Sequence, residues 1–171
     1  MAKTYEPIAS QTLGSNTTTV SFSSIASSWT DLRLIVSGRS TRTSVTYESI
    51  WIRFNADSGS NYSDTYLYGS GSSAGSGRSS NLTRVQIARF NHSASSNTTP
   101  SAVIIDVQSY ANTSVYKTVL GQSASSVENW PVSRYVGLWR STSAITSIDL
   151  TVEVDQFASG STFSLYGIKA A

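Results

Sequence analysis

Apolar and polar residues alternate along most of the chain, at the two-residue period that sends successive side chains to opposite faces of a strand. Leu32, Leu34 and Val36 fall on one face, with Asp31, Arg33 and Ser37 interleaved or flanking. Ile50, Ile52 and Phe54 repeat the pattern while Trp51 and Arg53 point the other way. The same spacing recurs at Val20 and Phe22; Val85 and Ile87; Val103, Ile105 and Val107; Val136 and Leu138; Ile148, Leu150, Val152 and Val154; and Phe163 and Leu165. Ile8 with Leu13 adds an N-terminal strand or arm.

No window of helical length keeps a 3.6-residue period, and the Ser, Thr and Val content works against helix through side-chain restriction and competing hydrogen bonds. Short helical turns fit only near Ala26 to Trp29 or Ser123 to Val127. Strands of this length between Ser, Gly and Asn turns predict an all-β antiparallel sandwich of jelly-roll type, with about eight to nine strands. Residues 1–14 read as an N-terminal arm or edge strand and 15–171 as one sandwich domain. The stretch from Gly69 to Ser80 is almost wholly Gly and Ser, which predicts an exposed loop.

Composition narrows the function classes. The 171 residues include 36 Ser and 19 Thr but also four Trp, nine Tyr and five Phe, so the hydroxyl bias belongs to an ordered chain and not a disordered one. With no Cys, zinc fingers, dithiol redox chemistry and thiol nucleophiles are excluded. Twelve basic residues are scattered without a run for a net charge of +2, so neither nucleic acid nor a membrane is an expected partner. Apolar runs such as Val103 to Ile105 are far too short to cross a bilayer, and the opening Met1 to Tyr5 lacks the apolar core of an export signal.

Candidate chemistry is thin. Gly71-Ser72-Ser73-Ala74-Gly75 matches a nucleophile elbow, and Gly69 to Ala74 grazes a dinucleotide fingerprint, but neither opens a helix. His92, the single histidine, reads as a polar turn residue. Asp149, Glu153 and Asp155 share the polar face of one segment, the arrangement a glycosidase would need, yet the commoner fate of such carboxylates is solvation or pairing with an Arg such as Arg140. Asn55, Asp57, Gly59 and Asn61 faintly echo a calcium loop without its closing Glu, so an Asx-stabilised turn is the better reading. Six Asn-x-Ser/Thr triplets follow from composition. No catalytic, metal or cofactor residues are assigned. The candidate interface is aromatic and basic: Trp51, Arg53, Trp130, Trp139 and Arg140.

Several segments resemble a family of tailed-phage virion proteins. They are Tyr5 to Ala9 with Thr12-Leu13; Val20 to Ile25 followed by Trp29 to Leu32; Arg53 to Ser63, the most specific; Tyr116 to Thr118; Gly137 to Thr142; and Phe157 to Ile168. The resemblance implies a non-enzymatic virion component without cofactors. The expected role is a capsid decoration or cement protein, forming a homotrimer that bridges major capsid protein subunits or other virion proteins. A tail- or baseplate-associated protein that binds a receptor or carbohydrate is the alternative. The segment Met1 to Gly14 is expected to reach a neighbouring sheet edge.

Overall fold

A computed structural model of the chain describes residues 4–43, 47–90, 99–124 and 132–169. Twelve strands form two antiparallel sheets, more than the eight to nine expected, with no helix among the described residues. The large sheet has the order β1 (Tyr5–Thr12), β12 (Thr162–Ile168), β3 (Asp31–Gly38), β8 (Ser101–Gln108), β9 (Lys117–Ala124), β10 (Val132–Trp139), β5 (Tyr62–Gly69), β6 (Ala74–Leu82). The small sheet has the order β2 (Thr19–Phe22), β11 (Ile148–Val152), β4 (Glu48–Phe54), β7 (Val85–Phe90).

The chain crosses between layers at most connections, and a jelly-roll plan underlies the twelve strands. When the β8–β9–β10 meander is counted as one element and the β12–β1 pair is set aside, four strands remain in each sheet, in the crossover order of a jelly roll. The expected N-terminal arm is an edge strand of its own sheet, paired with β12 through Tyr5↔Ile168 and Thr12↔Thr162.

The core lies between the layers. Leu32, Leu34, Val36, Val103, Ile105, Phe163 and Leu165 face Val20, Phe22, Ile50, Ile52, Ile148 and Leu150, all of them 4% exposed or less. On β7 the small sheet presses most closely onto the large one. A Cβ on Gly121 would lie 1.9 Å from the Ile87 carbonyl oxygen, and one on Gly137 would lie 2.4 Å from Val85. Only glycine leaves room there for the β7 backbone and side chains.

Three sequence expectations do not hold. In β10 the buried face is Ser133, Tyr135, Gly137 and Trp139, while Val136 is 49% exposed. Both faces of this strand are apolar, so alternation cannot choose between them; the fit of Gly137 against Val85 does. The Gly/Ser stretch is not a loop beyond residue 73, because Ala74 to Leu82 form the edge strand β6. Gly75 and Gly77 lie opposite Tyr68 and Tyr66, whose rings cover the glycines and supply the packing these lack. Val154 lies past the end of β11 and is 62% exposed.

Candidate interaction surface

The segment Arg53 to Ser63, which contains the expected Asx-stabilised turn at Asn55 to Asn61, forms a structural knot. Asn55 and Ala56 adopt left-handed backbone at φ 51° and 54°, turning the chain sharply out of β4. The Asn55 amide oxygen then accepts hydrogen bonds from the Thr146 and Ser147 N–H groups at 2.8 and 3.1 Å, and its amino group donates to the Ala144 carbonyl at 2.8 Å. One side chain thus fixes the β10–β11 connection.

Asp57 accepts from Gly59 N–H at 2.8 Å, as the Asx reading predicted, and from the Asn61 amide at 3.0 Å. Its third donor is Trp139 Nε1, at 2.7 Å. The Trp139 indole, with the smaller contributions of Gly59 and Asn61, holds the carboxyl below its ordinary pKa. These carboxylate oxygens are already occupied by donors. Among the described residues no group of three or more His, Asp or Glu side chains is placed to hold a metal ion.

Trp139 is 2% exposed, between Phe54 and Tyr62 at ring-centroid distances of 5.6 and 6.2 Å. It belongs to the core and not to an interface, the physical reason being the β10 face reversal. Tyr62 donates to the Phe54 and Asp57 carbonyls, and burial pushes its hydroxyl up to about 12. Arg140, half-buried, uses its backbone N–H on the Asn61 carbonyl and its guanidinium on the Ser60 carbonyl at 2.8 Å, so it pins the knot from outside. Trp130 and His92 lie outside the described residues.

Trp51 and Arg53 do face outward from the small sheet, as their alternation predicted. The Arg84 guanidinium covers the Trp51 ring at 4.6 Å, and Arg53 donates to the Thr83 carbonyl at 3.2 Å. The acidic set does not converge. Asp149 sits opposite Arg53 and accepts from the Ser21 hydroxyl at 2.6 Å. Glu153 is past the strand end, bonded to Ser49 at 3.1 Å and to Arg42 at 3.4 Å, and Asp155 is exposed beyond it. Glu153 pairs with Arg42, and Asp149 has Arg53 as its cross-strand neighbour; Arg140 donates instead to the Ser60 carbonyl.

The surface that alternation did not announce is the outer face of the large sheet. Cross-strand pairing lines up Ile35 with Ile104, Leu120 with Val136, and Arg134 with Leu67. Ile35, Leu67, Val132 and Val136 are 42%, 58%, 60% and 49% exposed. An Arg33–Asp106 bidentate pair, with Nη2 to Oδ2 at 2.9 Å, crosses the face, and Arg134 stands exposed beside Leu67. The sequence signal was present: β3, β8, β9 and β10 carry apolar residues on both faces.

No protein-family model matches the chain, and no curated protein matches it. Among solved structures, the crystal structure of Scytalido-glutamic peptidase with a peptide based transition state analog aligns with 91% of this chain at 8% sequence identity and a TM-score of 0.33. The alignment covers 66% of that protein's length.

Proposed function

We propose that this chain is a structural docking protein, seated on a larger assembly through the outer face of its eight-stranded sheet. The observation that carries this reading is the set of exposed aliphatic side chains, Ile35 on β3, Leu67 on β5, and Val132 and Val136 on β10, on one face of one continuous sheet. Single exposed apolar residues are ordinary on any protein, whereas a shared face of them favours covering by a partner. Arg134 and the Arg33–Asp106 pair supply the polar contacts that orient such a contact.

The resemblance to tailed-phage virion proteins gives the assembly its proposed identity: a shell of major capsid protein on which the chain acts as cement. Binding only the assembled shell would stabilise that state by mass action. No enzymatic role is proposed, because Asp149, Glu153 and Asp57 are each bonded within the fold. A carbohydrate platform on the small sheet has less support, since Arg84 covers one face of Trp51. The test is electron cryomicroscopy of virions containing the chain. Many copies on the head, each with Val136 and Leu67 toward the shell, are expected. Copies confined to the tail, or seated through Trp51 and Arg53, would overturn the reading.

A further inference from the structure

Two sheets have four outer edges, and three of these are blunted or capped within the described residues. Along β1, Pro7 lacks an N–H and the pairing shifts between Pro7 and Ala9, two devices that blunt an edge. The edge strand β2 has four residues, and the Gln11 amide donates to the Ser21 carbonyl at 2.8 Å. At β7 the inner face of the large sheet caps the edge: Gln86 N–H donates to Asp64 at 3.1 Å and Arg89 N–H to Ser123 at 3.2 Å.

The fourth edge is β6, nine residues with no Pro, no Lys and a single charge, Arg78. Among the described residues nothing pairs with its far side. Ser70 N–H bonds the Ser73 carbonyl at 2.7 Å and closes the hairpin that leads into it. Because antiparallel bonding alternates, counting by two from this pair directs the backbones of Gly75, Gly77 and Ser79 toward β5. The backbone groups of Ser76 and Arg78 are thereby left pointing outward.

We infer that β6 pairs with β6 of a second copy across a two-fold axis, joining two large sheets into one. The register follows from charge and backbone. Centring the axis on Arg78 would set like charges face to face, which destabilises a cross-strand pair. Centring it on Ser79 would draw in Asn81, whose φ of 57° ends the regular strand. Centring it on Gly77 avoids both and pairs Ala74 through Ser80, a longer stretch than the Ala74 to Arg78 that a centre on Ser76 would pair, and it places Ser76 opposite Arg78 of the second copy. The composition suits such a seam: Gly75 and Gly77 present no side chain at the junction, and the Tyr66 and Tyr68 rings already cover them. Proximity of two outer faces also makes one wider docking surface, although the pairing does not depend on what covers that surface.

Sedimentation velocity across a concentration series tests the pairing. The unmodified chain is expected to sediment as a concentration-dependent dimer. Ser76→Pro removes an outward N–H without touching the β5 ladder, and should weaken the dimer about tenfold or more because the two-fold axis counts the loss twice. Ser76→Glu should tighten it and Ser76→Lys weaken it, each by about fivefold, through Arg78 of the second copy. Both charge variants keep an exposed side chain on an intact strand, so they remain informative if the proline variant melts early. A monomer at every concentration, a trimer, or equal dimerisation by the Glu and Lys variants would overturn the inference.

Discussion

Two aspartates show how burial and hydrogen bonding set opposite pH responses within one fold. Trp139, the first of several donors, lowers the Asp57 pKa. The stability it contributes is complete above the ordinary aspartate value near ~4 and is lost as pH falls through the lower folded value. Asp64 is shifted the other way, chiefly by burial and despite its bond from Gln86. Its folded form binds protons more readily than its unfolded form, so its contribution grows as pH falls from the raised value toward the ordinary one. Thermal melts should separate the two. Asp57→Asn is expected to lower stability at neutral pH by about 1 kcal/mol and to flatten its fall in acid. Asp64→Asn should leave neutral stability unchanged or raised. Gly121 supplies a second residue-scale prediction, because the atom that meets an added Cβ is backbone and cannot rotate away. Gly121→Ala should cost about 2 kcal/mol or more in denaturant unfolding.

At the scale of elements, alternation located most strands but not always their faces. Leu32, Leu34 and Val36 are 0% exposed, as the pattern of polar neighbours required. In β10 the rule had nothing to distinguish, because Val136 and Leu138 alternate with Tyr135 and Trp139. The choice rests on a contact with β7, far away in sequence. The strand β6 was illegible for a related reason: glycine and serine carry little strand propensity, and the tyrosines that stabilise it belong to β5. Of the candidate interface, Trp51 and Arg53 point outward as expected, while Trp139 turns inward with its strand. The wide outer face does not emerge from a pattern that gives each strand one apolar side. A matched pair of substitutions checks this register by circular dichroism and melting. Leu34→Asp should abolish the folded protein, because a carboxylate there has no partner, whereas Val136→Asp should fold and melt within about 0.5 kcal/mol of the parent.

At the scale of the whole molecule, the two sheets divide the work. The small sheet shows a polar exterior knitted by Arg84–Trp51 and Ser21–Asp149, and it presses β7 into the glycine seam of β9 and β10. The large sheet packs on it through this seam and turns the aliphatic side chains of Ile35, Leu67, Val132 and Val136 outward. The segment Arg53 to Ser63 serves that division by fixing the connection between layers. The docking account can be tested site by site because the chain has no cysteine of its own. Single cysteines would be placed at Val136 on the large sheet and at Thr19 on the small sheet, and their rates of thiol labelling compared between free protein and protein bound to virions. The account predicts that binding shields the cysteine at 136 and leaves that at 19 reactive; equal labelling at 136 in the free and bound states would contradict it.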